Sequence, residues 1–572
     1  MQRKEGVGGG REGDRARNHT ETGSSWREAI GERKQERCHR IGNCMFFTLP
    51  GMMRAVILLL IAASAAVRGD DCIRRKVEYG IVCVCNSTYC DYVPDVQVQE
   101  NQYVTYTSTE SGQRLNISIG NFSNGYSSCD ITITVDTSKA FQEIFGFGGA
   151  MTDAAALNIR NLREPTQQKL IEAYYGAKGS RYTFCRIPMA GTDFSTRPYT
   201  YADTPGDLTL SNFSLVEEDN YKIGYLHDMM KIMPNRDDMK IFTTSWSAPA
   251  WMKDTNKITW GALKPEYYQL YADYIRKFFD AYKEKDIDIW GMTPGNEPLD
   301  GYFPIFPFNA MKWTATTAAN FCTKNLQPTL SEAGYEPTYM ALDDQRFFIP
   351  EILDIMFKSD KAKELFTGTA YHWYANKLFS LSRLDKLHNE YPNKFILMTE
   401  ACTGSSLLER EKVKLGSWER GEKYLQDIIE NMLHWVSGWV DWNLALDKHG
   451  MPNWAKNYVD SPIIVMPEND EFYKQPMYYA LYHVSKFVPR NSTRISSEFS
   501  YKNCFEDYSN VKAVAFCTNE GIVIVIMNKD NIPHNICIQD DAMSGKICLQ
   551  QPEKSFTTLI YRAPQECGKS TI

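Results

Sequence analysis

Two short strings put acids where acids can do chemistry: Asn296-Glu297-Pro298 and Glu400-Ala401-Cys402. Each follows an apolar run, 287–293 and 394–399, of the kind that lies buried as a strand and releases the next residue at its end. Two carboxylic acids sharing one pocket can cleave a glycoside, one protonating the leaving oxygen while the other attacks the anomeric carbon or activates water. A lone strand-end glutamate is more often a salt-bridge residue. Here Asp193, Trp246, Asn296, His372 and Trp442 also stand at or just after run ends, and together they offer hydroxyl partners and flat apolar faces around the two acids. The 9 histidines are scattered without metal-ligand spacing, so no metal is expected. Neither a G-x-S-x-G elbow nor a P-loop occurs, so serine hydrolysis and P-loop phosphate chemistry drop out, and no cofactor is expected.

The elements that must hold these residues are legible as alternation. Between 141 and 487, eight apolar or β-branched runs (144–149, 182–187, 240–246, 287–293, 339–342, 368–373, 394–399 and 438–442) are separated by helical stretches. Between the third and fourth runs, Tyr267, Leu270, Tyr271, Tyr274, Ile275, Phe278, Phe279 and Tyr282 recur at helical spacing and predict one buried stripe. Eight strand–helix units predict a (β/α)8 TIM barrel, whose site lies at the C-terminal strand ends. A doubly wound sheet is disfavoured because no G-x-G-x-x-G follows the first run. Before and after the barrel, at 98–140 and 488–572, come strands without intervening helices (102–106, 114–118, 130–135, 511–516, 521–527 and 556–561), and both flanks together predict one accessory β-sandwich.

Composition sets the outer limits. The 572 residues exceed the roughly 250–300 at which a single core stops growing, which calls for more than one domain. With 63 Lys+Arg against 70 Asp+Glu the net charge is −7, and no nucleic-acid partner is expected. Residues 1–69 read as a leader ending in a signal peptide, with Arg54 ahead of the apolar stretch 55–67 and Ala63-Ser64-Ala65 as a cleavage pattern. That stretch is short of the ~20 residues of a membrane span, so no transmembrane anchor is expected. Export fits five sequons, at Asn86, Asn116, Asn121, Asn212 and Asn491, read as glycosylation sites. Four cysteines crowded into the 70–97 segment, Cys72, Cys83, Cys85 and Cys90, read as a disulfide staple whose connectivity has three options. Cys504 with Cys517 and Cys537 with Cys548 flank neighbouring predicted strands and are candidate pairs, whereas Cys185 and Cys402 read as free thiols.

Beyond residue 70 the chain resembles the glucosylceramidases of glycoside hydrolase family 30. The resemblance rests on long strings: Gly146-Phe-Gly-Gly-Ala-Met-Thr-Asp-Ala-Ala-Ala-Leu-Asn158, Tyr199-Thr-Tyr-Ala-Asp-Thr-Pro205, Leu342-Asp-Asp-Gln-Arg346, Leu415-Gly-Ser-Trp-Glu-Arg-Gly421, Asp441-Trp-Asn-Leu-Ala-Leu446 and Val459-Asp-Ser-Pro-Ile-Ile-Val465. It implies a retaining β-glucosidase with Glu297 as acid/base and Glu400 as nucleophile. Asp193, Trp246, Asn296, His372 and Trp442 would surround the glucose ring. The implied substrate is glucosylceramide at an anionic membrane surface in the lysosomal lumen, with secretion as the alternative and room for a saposin-type activator protein. It also pairs Cys72 with Cys83 and Cys85 with Cys90, which joins near neighbours in order. Two departures stand out: Pro294-Gly295 precedes Asn-Glu where the family usually has another Glu, and Phe306 stands where a Tyr is expected. The rival readings are a secreted glycanase of the same family, a xylanase or β-1,6-glucanase, and a non-catalytic glycan-binding protein.

Overall fold

The computed structural model describes residues 71–125, 128–406, 408–503 and 507–562. The leader expected at 1–69 and Cys504 lie outside the described residues. Eight parallel strands close into a barrel: β1 (Gly146–Ala150), β2 (Phe184–Met189), β3 (Lys240–Ser245), β4 (Gly291–Met292), β5 (Thr338–Gln345), β6 (Phe366–His372), β7 (Phe395–Glu400) and β8 (Val436–Asn443), with β8 pairing back onto β1. All eight fall on the predicted runs. Closure demands close backbone approach at the β1–β2 seam, where a Cβ on Gly148 would lie 2.2 Å from the Phe184 carbonyl oxygen. Inside, Phe184, Phe242, Met340, Ala370, Leu397 and Val440 form an apolar plug drawn from six of the strands. Polar strand-end residues are thereby confined to the C-terminal rim. The helix Tyr268–Lys283 buries Tyr271, Tyr274, Ile275, Phe278, Phe279 and Tyr282 as its periodicity predicts, while Tyr267 falls in a preceding 3-10 turn.

Both flanks enter one nine-stranded sheet, in the order Lys546–Gln551, His534–Asp540, Ile131–Ile144, Ser492–Tyr501, Val511–Thr518, Gly521–Asn528, Ser555–Tyr561, Gln102–Thr109, Asn116–Asn121. The strand Gly521–Asn528 shows why it holds to the barrel. Ile522, Ile524 and Ile526 point into the sheet's own core, and Val523, Val525 and Met527 point into the larger core shared with the barrel helices. A third sheet of five strands joins Arg74–Val77 and Gly80–Asn86 to Glu471–Lys474, Ile463–Met466 and Leu446–Asp447, chain that follows β8.

Cys72 bonds to Cys83 and Cys85 to Cys90. The pairing of Cys537 with Cys548 is corrected: Cys537 bonds to Cys129, and Cys548 keeps a free thiol although its sulfur lies 2.9 Å from that of Cys537. Cys537 faces Cys548 across the ladder, but its strand also lies beside Ile131–Ile144, whose approach carries Cys129, so two sulfurs compete for one partner. Cys517 is disulfide-bonded. Cys185 and Cys402 are free and buried, as is Cys322. Among the described residues no helix is long and apolar enough to cross a membrane.

Candidate active site

The C-terminal rim brings Glu297 and Glu400 together from the turn after β4 and the end of β7. A carboxylate oxygen of each and a ring nitrogen of His372 all lie within 4.8 Å of one another. The turn is strained to do this, because Glu297 sits at φ +40° and Asp343, which faces it from β5, at φ +66°. Backbone bonds hold both, with the Asn296 N–H donating to Ser245 O at 3.0 Å and the Glu297 N–H to Asp343 O at 3.0 Å. Gly295 lets the turn pass the Trp313 indole, where an added Cβ would lie 3.2 Å from two ring atoms.

Beneath the two acids lies a fully buried Arg186, in the middle of β2. Its guanidinium donates to Glu400 Oε2, to Asn296 Oδ1 at 2.8 Å and to Asp343 Oδ2 at 3.1 Å. Burial would weaken its hold on the proton, but the Asp343 and Glu400 carboxylates outweigh this and raise its pKa. Asp343 receives four donors: Arg186 and the Thr293 hydroxyl on one oxygen, the Thr399 hydroxyl and His372 Nε2 on the other. Burial works against its ionisation, yet Arg186 and His372 hold it well below the usual carboxylate range. His372 in turn binds Glu297 Oε1 through Nδ1 at 2.9 Å; burial would lower its pKa, but Glu400, Asp343 and Glu297 push it up to about 10. It is therefore an imidazolium across the acid and neutral range.

Each acid has a further neutral donor. Tyr374 donates its hydroxyl to Glu400 Oε1 at 2.6 Å, and Gln345 donates to Glu297 Oε1 at 2.7 Å. Beyond Glu297, Asp300 is pushed up to about 10 by burial together with the charges of Glu297 and Asp344. Asp344, whose oxygens take the backbone N–H groups of Leu299 and Gln345, is pushed up to about 7 by burial and by Glu297.

Of the other sequence-predicted residues, Asp193 lies buried at the rim, held by Asn457 Nδ2 at 3.0 Å and Asn453 Nδ2 at 3.3 Å and pushed up to about 7 by burial and by the charge of Glu400. Trp246 and Trp442 stack on each other with centroids 5.2 Å apart and planes 17° apart, and the Arg186 guanidinium lies 5.0 and 5.3 Å from their rings. All seven predicted residues thus fall at the strand-end rim. Sequence reasoning passed over Arg186, Asp343, Gln345 and Tyr374. For Arg186 the signal was a charge inside the apolar run 182–187 and for Asp343 and Gln345 the polar string that closes β5, whereas Tyr374, just past β6, carried none. Three clusters among the described residues bring metal-ligand atoms together; two contain disulfide cysteines, and the third is Glu297, His372 and Glu400, where Arg186 already supplies a cation.

The glycosyl hydrolase family 30 TIM-barrel domain model matches residues 144–488, and the glycosyl hydrolase family 30 beta sandwich domain model matches residues 491–559. The chain is 38% identical over 514 residues to the lysosomal acid glucosylceramidase of Mus musculus, covering 88% of this chain and 98% of that protein. It is 36% identical over 519 residues to putative glucosylceramidase 4 of Caenorhabditis elegans, covering 89% and 98%. Among solved structures it superposes on SrfJ from Salmonella typhimurium with a TM-score of 0.73 at 25% identity, over 81% of this chain and 99% of that one.

Proposed function

The chain belongs to glycosyl hydrolase family 30 and is a glycosyl hydrolase, and from that premise we propose that it is a retaining β-glucosidase releasing glucose from glucosylceramide in sphingolipid breakdown. The observation that carries the reading is the closeness of Glu297 and Glu400. An oxygen of each acid within 4.8 Å of the other brings both acids to one reacting centre, which supports direct attack by one of them. Glu400 attacks the anomeric carbon, held in line by Arg186 and Tyr374, and Glu297 gives its proton to the departing ceramide oxygen. The covalent glucosyl-enzyme is then opened by water, with Glu297 taking the proton back. Asn296 has its Oδ1 engaged by Arg186, so its Nδ2 is the atom to offer the sugar's 2-hydroxyl. Asp193, whose two asparagine donors both go to Oδ2, turns its Oδ1 to the remaining hydroxyls, His372 with both ring nitrogens engaged holds Glu297 in place, and Trp246 and Trp442 form the apolar wall.

The lipid portion of the substrate fits the loop after Glu297, where Phe303 and Ile305 are 46% and 78% exposed while Phe306 and Phe308 pack on each other with centroids 5.7 Å apart. An anionic membrane surface, an activator of saposin type and the lysosomal lumen complete the reading. So does glycosylation, supported by exposure of Asn116, Asn121, Asn212 and Asn491, with Asn86 half-buried. The test is turnover of glucosylceramide in anionic micelles against xylan and β-1,6-glucan, with the anomer of the first product read by NMR. Faster cleavage of either polysaccharide favours the glycanase reading, and an α-anomer as first product rejects retention.

A further inference from the structure

Behind the acid/base turn lies a chamber of about 300 Å³ that the catalytic reading leaves unused. One wall is the turn itself, Pro294, Pro298 and Leu299, so the chamber begins at the residue next to Glu297. Trp313 and Ala318 of the Ala315–Phe321 helix region form the second wall, and Ile352 of the helix Glu351–Met356 lies on the third. Its mouth carries Tyr302 and Ile355, which are 39% and 48% exposed.

The lining is mostly apolar. Asp344 is the charged residue of the wall, and both its oxygens are already taken by backbone N–H groups. The buried Trp313 indole N–H lacks a partner, and the hydroxyl residues Tyr302, Thr314 and Thr316 complete the polar part of the lining. An apolar chamber of this volume holds a single hydrocarbon chain of about ten methylenes. The exposed Tyr302 and Phe303 lie on the same loop as Phe306 and Phe308, which pack into the cluster containing Trp246 and Trp442. One apolar loop therefore runs between the chamber mouth and the sugar wall.

We propose that the chamber seats one alkyl chain of the lipid aglycone, fixing the glycosidic oxygen beside Glu297. This rests on the lipid-glucoside reading above. A chain bound there makes contacts that a soluble aryl glucoside does not, so occupancy shows as a dependence on chain length.

The test uses full-length enzyme and alkyl β-glucosides of four to twelve carbons, each below its micelle concentration. In wild type, kcat/KM should rise about twofold to fourfold per methylene and level off near ten carbons. Ala318→Phe fills the chamber and should flatten the rise while leaving an aryl β-glucoside within twofold of wild type. Ile355→Glu, at an exposed position that folding tolerates, puts a charge at the mouth and should blunt the rise as well. If both variants keep the wild-type rise, the chain lies elsewhere and the proposal falls while the lipid-glucoside reading stands. If wild type shows no rise yet hydrolyses glucosylceramide, the chamber is again rejected. If it shows no rise and leaves glucosylceramide intact, the underlying reading fails as well.

Discussion

Arg186→Met removes the one guanidinium on which both halves of the site depend, and its cost can be worked from the partners left behind. Removing one member of a buried ion pair costs about 3–5 kcal/mol, because the remaining charge stays buried without its counterion. Asp343 would keep three donors, Thr293, Thr399 and His372, and so loses only part of its support. Glu400 would keep only the Tyr374 hydroxyl of its hydrogen bonds described above. The loss should therefore fall at the low end, about 3 kcal/mol, and appear as a drop of several degrees in melting temperature. Its pH dependence has a definite sign. Asp343, held well below the ordinary carboxylate range, contributes stability that is present above the unfolded value of about 3.9 and is lost as pH falls through its folded value. The variant keeps a smaller depression, so the gap between the two proteins should be full near pH 7 and narrower only near pH 2, below the variant's own folded value. Arg186→Lys keeps the charge without the three-way reach and should lose less. The assay is thermal unfolding followed by tryptophan fluorescence at both pH values. A Met variant within about 1 kcal/mol of wild type, or an equal loss at both pH values, would show that the guanidinium is not what balances these carboxylates.

Glu400→Gln should almost abolish glycosylation even with an activated aryl glucoside. Glu297→Gln should glycosylate with that substrate and then stall, and azide should release a β-glucosyl azide. A cyclitol epoxide that labels Glu297 in preference to Glu400 would reverse the roles. Tyr374→Phe deletes the 2.6 Å hydrogen bond to Glu400 and should lower kcat for the aryl glucoside by at least about tenfold, since a bond to a charged group is worth about 1.5–3 kcal/mol; an unchanged kcat would refute it. With a folded pKa pushed up to about 10, His372 contributes stability fully present below about pH 6.5 and lost as pH rises toward 10, so His372→Gln should flatten the decline of the urea midpoint over that interval, and parallel declines would count against a charged His372.

The barrel was legible because its strands are buried on both faces and so read as apolar runs, and eight of these separated by helical stretches leave few alternatives. The limit of that signal is visible at β4, where seven residues read as a strand but only Gly291–Met292 pair as one, with 287–290 ahead of the ladder and Thr293 leading into the turn that carries Glu297. The accessory sheet was legible only in its apolar members. Ser492–Tyr501 alternates weakly and has a polar composition, so it passes for loop until its pairing with Ile131–Ile144 is seen. Cys129 escaped for the same reason, since nothing local ties it to a strand 408 residues away.

The acids of the site were legible by position, whereas the residues that balance them could be found only by treating buried charge as a constraint between strands. Arg186 interrupts an apolar run, and so do Asp343 and Asp344 at the end of β5. An isolated charge cannot stay in a barrel interior without a partner, so each such interruption demands another of opposite sign at a similar depth. Arg186 and His372 are the basic residues within the eight predicted runs beyond their first positions, and the acids at or just past the run ends are Asp343, Asp344, Glu400 and Asp441, with Glu297 four residues beyond the fourth run. That count already requires the arginine to sit among them. It does not say which it holds, because the choice depends on barrel stagger: β2 and β7 are not neighbours, and only the closed barrel turns their side chains toward one axis, where Arg186 reaches Glu400 and Asp343 while Glu297 is left to His372 and Gln345. The asymmetry between the two acids, one against a guanidinium and the other against an imidazolium and an amide, is thus a product of strand order.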